Sequence, residues 1–146
     1  MNNKKSKPLN YTTQIDIYKT VSEIQKILSE NGAMAILIEN NENGDPSSLS
    51  FQYKINNDYF TFKLKSNHHG IFRQLKNNKK ISNKLKTEEQ AMRVAWRINK
   101  DWVESQISYI NAEMAELPSL FLQSAVTGNG LTVYEHIKNN TKLLQG

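Results

Sequence analysis

The sequence predicts an α+β fold: a three-stranded antiparallel β-meander packed against one long helix and several short helices. Three observations carry this. Leu49, Phe51, Tyr53 and Ile55 alternate with Ser50, Gln52 and Lys54, and Phe60, Phe62 and Leu64 alternate with Thr61, Lys63 and Lys65, the period of half-buried strands. Only Asn56-Asn57-Asp58 separates these two runs, and so short a connection favours antiparallel neighbours. After residue 87 the apolar spacing changes to that of a helix. A sheet with one apolar face needs helices over that face.

The elements follow in order. Residues 1–11 are polar and basic and are expected to form a disordered tail, leaving 12–146 as a single α+β domain. Thr20-Val21-Ser22-Glu23 reads as a capping box opening a first helix, with Val21, Ile24, Ile27 and Leu28 on one face and Asn31-Gly32 as its stop. Met34 to Glu39 is a short apolar strand, and Asn43-Gly44-Asp45-Pro46 is a turn before the two alternating strands. Ile71, Phe72 and Leu75 mark a short helix, and the polar, basic stretch Asn77 to Lys86 an exposed loop. Thr87-Glu88-Glu89-Gln90 caps the longest helix, expected from Glu88 to about Glu116, on the order of 43 Å long. Its apolar stripe holds Ala91, Val94, Ala95, Ile98, Trp102, Ile107, Ile110 and Met114, and the stripe drifts round the helix. That drift predicts a homo-oligomer, a dimer first, with the long helix at the contact. Pro118 interrupts the helix, Leu120 to Leu122 form a short one, Gly128-Asn129-Gly130 turns the chain, and Thr132-Val133-Tyr134-Glu135 caps a last helix through about Lys138.

Composition narrows the function. The chain has 146 residues, 38% of them hydrophobic and 23% charged, which suits one globular domain with a real core. It has no cysteine, so disulfides, thiolate metal sites and cysteine nucleophiles are excluded. No stretch approaches the ~20 apolar residues of a membrane span. No membrane association and a cytoplasmic location are expected. The net charge of +5 is unevenly spread: Lys63 to Lys100 contains eleven Lys/Arg and two acids, +9, and the remainder is −4. A concentrated basic region attracts polyanions: nucleic acid, phosphorylated nucleotides or an acidic protein.

No enzyme is expected. The sequence lacks a phosphate-binding glycine loop, His-Glu-x-x-His and Gly-x-Ser-x-Gly, and its carboxylates are scattered. His68-His69 is a poor chelating pair, because adjacent side chains diverge in regular structure, so no metal and no cofactor are expected. The densest segment is Arg93 to Trp102. Only Arg73, Arg93 and Arg97 among nineteen cations are arginine, whose planar fork grips phosphate with two hydrogen bonds. Arg93, Arg97 and Lys100 share one helix ridge, with Trp96 beside it and Gln106 further along. The expected ligand-binding set is therefore Arg73, Arg93, Trp96, Arg97, Lys100 and Gln106. Two bland readings stand beside it: Glu89 with Arg93 and Arg97 with Asp101 are spaced for surface ion pairs, and both tryptophans suit core packing.

Several segments resemble a family of small accessory proteins encoded by bacteriophages and prophages. They are Thr12-Thr13-Gln14-Ile15, Lys19 to Ile24 leading to Asn31-Gly32-Ala33, Gln90 to Arg97, Asp101-Trp102 with Gln106, and Leu131 to Glu135. The resemblance covers most of the chain after residue 11. It departs at Lys63 and Lys65, where the family often carries Arg and Pro. It implies an accessory role in replication, recombination, host takeover or anti-defence. Three functions follow. The first is a non-enzymatic protein that binds a phosphorylated nucleotide, sequestering a host defence signal. The second is a nucleic-acid-binding protein for phage replication or recombination that uses Lys76, Lys79, Lys80, Lys84 and Lys86. The third is a protein inhibitor of a host enzyme.

Overall fold

The computed structural model describes residues 6–140 and Gln145. It has a three-stranded antiparallel sheet in the order β1-β2-β3, with β1 at Ala35–Asn40, β2 at Pro46–Ile55 and β3 at Asp58–Lys65. Five helices surround it: α1 Ile17–Glu30, α2 His69–Asn77, α3 Glu88–Asn111, α4 Leu117–Leu120 and α5 Val133–Asn139. The expected α+β meander with one long helix is present.

The β2–β3 hairpin is set by its turn. Ile55 pairs with Asp58, and the two intervening residues, Asn56 and Asn57, have φ of 51° and 71°. Two successive left-handed residues match the strand twist, and Asn tolerates that conformation better than most. The register then puts Leu49, Phe51, Tyr53, Phe62 and Leu64 on the inner face, all buried. Ser50, Gln52, Thr61 and Lys63 occupy the outer one. The inner face meets Val21, Ile24 and Leu28 of α1, Met92, Trp96, Val103 and Ile107 of α3, and Phe121.

The short helix expected at Leu120 to Leu122 is instead α4 at Leu117–Leu120, opened by Pro118, with a 3-10 turn at Leu122–Ser124. The ends of two longer helices also differ from expectation. First, α1 starts at Ile17, because the Asp16 side chain accepts a hydrogen bond from the Tyr18 amide. Thr20 and Glu23, expected as the capping box, lie inside the helix and turn towards α3. Second, α3 ends at Asn111, making it 24 residues and on the order of 36 Å. Glu113 takes φ 57° there, and the Met114 and Glu113 amides bond back to the Tyr109 and Ile110 carbonyls. This is a Schellman stop with a glutamate where glycine is usual. Part of the apolar stripe that predicts a helix-mediated dimer packs within the chain, while Met114, just past the end of α3, is 64% exposed. Val94, Ala95, Val103 and Ile107 are buried, and outward positions such as Glu88, Glu89, Asp101, Glu104 and Ser108 are polar.

A second, smaller cluster joins Leu75, Ile81 and Ala91 with Tyr11, Ile71, Phe72 and Leu85. It anchors the basic stretch after α2, where a 3-10 turn spans Asn83–Leu85. Of the expected tail, residues 1–5 lie outside the described residues. Residues 6–11 run along α2 and α3. Ser6 Oγ accepts from Gln74, the Ser6 carbonyl accepts from the buried Asn78, and Asn10 donates to Asp101 at 2.8 Å.

Candidate functional site

The arginine–tryptophan segment folds into a structural role. Trp96 is 0% exposed, with its indole N–H donating to the Pro46 carbonyl at 3.2 Å. It is a core anchor between α3 and the sheet, so a base has no route to its ring. Arg97 reaches across to α1. Its Nη1 donates to Glu23 Oε2 at 2.5 Å and to Thr20 Oγ1 at 3.3 Å. Its partner is thus Glu23, 74 residues away in sequence, rather than Asp101. Arg93 closes on Gln90 instead of Glu89: its Nε and Nη2 donate to Gln90 Oε1 at 3.0 and 2.8 Å. The Gln90 amide in turn donates to the carbonyls of Tyr11 and Thr13, so Arg93 orients the group that pins the N-terminal segment to α3. Lys100 pairs with Glu104 at 2.5 Å. Gln106 is half-buried a little over a turn beyond Trp102, and Arg73 stands exposed on α2. The six residues expected to share a ligand site are therefore divided among the core, two helix contacts and a separate helix.

Replacing Arg97 by Lys tests this division. Lys keeps the charge but lacks the reach and planar geometry with which Nη1 meets both Glu23 and Thr20, so the expected cost is about 1 kcal/mol of stability with anion binding unchanged. Denaturant titration measures the first and any binding assay the second.

Both cations of β3 are also paired, whereas Lys54 of β2 sits over the Tyr59 ring. Lys63 lies 3.2 Å from Glu39, and this hydrogen bond holds the Glu39 carboxyl below the usual carboxylate range. Lys65 lies 3.6 Å from Glu135, whose carboxyl is held low chiefly by the Thr132 amide of the α5 capping box. The situation on α2 and the stretch after it is different. Arg73, Lys76, Lys79, Lys80, Lys84 and Lys86 form no ion pair among the described residues. All but the half-buried Lys86 are exposed. Arg73 and Lys76 are three residues apart on α2, opposite the buried Leu75 edge, and so share one face. Lys76 also sits 5.0 Å over the Phe72 ring. The loop beyond is held by its own contacts: Ile81 is buried, and Asn78 Oδ1 accepts from the Lys80 amide. The result is a run of cations without ion-pair partners among the described residues, on α2 and the ordered loop after it. Apart from the local Lys100–Glu104 pair, nothing in the sequence spacing separates these cations from their paired neighbours, because Glu23, Glu39 and Glu135 come from distant segments.

Two open cavities flank the end of β3. One, about 390 Å³, is lined by Glu39, Ser48, Lys63, Lys65, His68 and His69 among others. The other, about 700 Å³, lies between β3, α3 and one side of α5. The two share Lys63, Lys65 and Asn67. His68 and His69 stack with ring centroids 4.3 Å apart. His68 Nδ1 is buried without a hydrogen-bond partner among the described residues. Burial pushes the His68 imidazole below its ordinary value, the neighbouring His69 adds to this, and Glu88 opposes it. A folded value below the unfolded one, near 6.5, means that the unfolded chain binds more protons as the solution is acidified. The stability that neutral His68 contributes is present above about pH 6.5 and lost as pH falls through the folded value. Melting curves between neutral and mildly acid pH are expected to show this slope, and His68→Gln is expected to flatten it.

Among the described residues no helix is long and apolar enough to cross a membrane, and no three acidic or histidine side chains converge as a metal site. No family model, curated protein or solved structure matches the chain.

Proposed function

We propose that this protein binds the phosphate backbone of nucleic acid, without base readout and without catalysis, through the ridge formed by α2 and the loop after it. The observation that supports this reading is the division of charge. Four of the cations between residues 63 and 100 are paired with carboxylates and Arg93 is tied to Gln90. Arg73, Lys76, Lys79, Lys80, Lys84 and Lys86 remain for an external anion. Several separated point charges on an exposed ridge suit a polyanion, whose many phosphates each release counterions on contact. Two aromatic rings on this side, Tyr11 and Phe72, pack into the small cluster, with Lys7 over Tyr11 and Lys76 over Phe72. They offer no stacking platform, so recognition rests on charge density and not on base identity.

This is the replication- or recombination-support form of a phage accessory role. The nucleotide-sequestering form loses the residues nominated for it, since Trp96 is buried and Arg97 is paired with Glu23. Fluorescence anisotropy with a labelled duplex and a single strand of equal length tests the proposal. Binding is expected for unrelated sequences alike, tighter for the duplex with its higher charge density, and abolished at high salt. No binding at low salt, or strong preference for one sequence, rejects it.

A further inference from the structure

The larger cavity lies away from the basic ridge and shares none of its residues. Its walls come from four separate parts of the chain: the end of β3, the middle of α3, the 3-10 turn at Leu122–Ser124 and one side of α5 from its cap to Lys138. At about 700 Å³ it falls within the range of small-molecule sites. Two aromatic side chains line it. Trp102 is half-buried, with its ring edge-on to Phe121 at 5.3 Å, and it has no hydrogen-bond partner among the described residues. Tyr134 is 57% exposed.

Two ammonium groups accompany them. Lys138 is exposed and forms no ion pair among the described residues. Lys65 stands 3.6 Å from Glu135, beyond hydrogen-bond distance, and Glu135 is already engaged by the Thr132 amide and hydroxyl. An incoming anion therefore competes for Lys65 against a carboxylate oxygen, Glu135 Oε1, that Lys65 shares with the Thr132 amide and hydroxyl. Lys63, in contrast, lies against Glu39 at 3.2 Å. The wall between these groups is built from amides: Asn67 and Gln123 line the cavity, and Asn99 donates to the Lys65 carbonyl at 3.1 Å, holding β3 against α3. Ring surfaces, amides and ammonium groups in one cavity match three parts of a ligand: a flat heterocycle, hydroxyls and a phosphate.

We infer that this cavity binds a phosphorylated nucleoside, with the base against Trp102 and Tyr134 and the phosphate between Lys65 and Lys138. This goes beyond the backbone-binding ridge and does not depend on it. The test uses the full chain and the four ribonucleoside 5′-monophosphates, each titrated singly by calorimetry and by tryptophan fluorescence. Trp96 is sealed in the core, so a fluorescence change reports Trp102. At least one monophosphate is expected to bind saturably. The matching unphosphorylated nucleoside and inorganic phosphate are each expected to bind roughly 10-fold or more weakly, as is the monophosphate to the double variant Lys65→Gln, Lys138→Gln. Trp102→Phe is expected to abolish the fluorescence change. Absence of binding by all four monophosphates up to millimolar concentration overturns the inference. So does binding that survives both groove variants but disappears in Lys79→Gln, Lys80→Gln, Lys84→Gln, which moves the nucleotide to the ridge.

Discussion

Trp96→Ala is expected to cost about 3–5 kcal/mol, the range for deleting a fully buried aromatic side chain. That is a large share of the roughly 5–15 kcal/mol that holds a typical domain together. Three effects act together. The indole fills the space between α3 and the sheet, in one cluster with Leu49, Phe51 and Val21. Its removal leaves a cavity that the surrounding strands and helices close only in part. It also deprives the buried Pro46 carbonyl of its 3.2 Å donor, at a point where β2 begins beside an irregular register with β1. Trp96→Phe keeps most of the volume and is expected to cost less, which separates the packing contribution from the hydrogen bond. Chemical denaturation followed by far-ultraviolet circular dichroism measures both. A base-stacking Trp96 would give the opposite pattern, with binding abolished and stability nearly unchanged.

The second large effect is on binding. Changing Lys79, Lys80 and Lys84 together to Gln removes three exposed ammonium groups with no ion-pair partner among the described residues. The fold is expected to be nearly unaffected, because surface charges of this kind contribute tenths of a kcal/mol. Duplex binding is expected to fall much further. A phosphate left without its ammonium partner retains about 0.9 of a counterion that binding would otherwise release. That is worth roughly 8-fold in affinity at about 0.1 M salt, so three such phosphates give roughly 500-fold. Changing Arg93 or Arg97 is expected to do the reverse, lowering stability with affinity held, since their partners are Gln90 and Glu23 within the fold.

The fold was legible where the information is local. The alternation in β2 and β3 and the Asn56-Asn57 turn specify the hairpin and its register within about twenty residues. The Thr87 cap of α3 and the capping box of α5 were legible for the same reason, although the Gln90 side chain turns to Tyr11 and Thr13 instead of closing a box on Thr87. The start of α1 was not, because Thr20 and Glu23 carry a capping pattern and serve Arg97 from another helix. Nor was the end of α3, where Glu113 adopts a left-handed conformation that sequence patterns assign to glycine. Trp96 misleads through periodicity. The first half of α3 is enclosed by α1, α2 and the sheet, so its buried arc includes Gln90, Met92 and Trp96 as well as the expected stripe. The basic character of residues 63–100 was visible in the sequence. Which cations stay unpaired was not, because Glu23, Glu39 and Glu135 approach from outside that region. The groove around Trp102 was hidden for the same reason, being assembled from segments spread over residues 63–138.

The dependence of duplex affinity on salt, measured side by side for the wild type and the Lys79→Gln, Lys80→Gln, Lys84→Gln variant, tests the central claim most directly. Six neutralised phosphates predict a slope of log affinity against log salt near −5 for the wild type, and three predict about −3 for the variant. Equal slopes for the two proteins, or a wild-type slope near zero, would contradict a phosphate-binding ridge on α2 and its following loop.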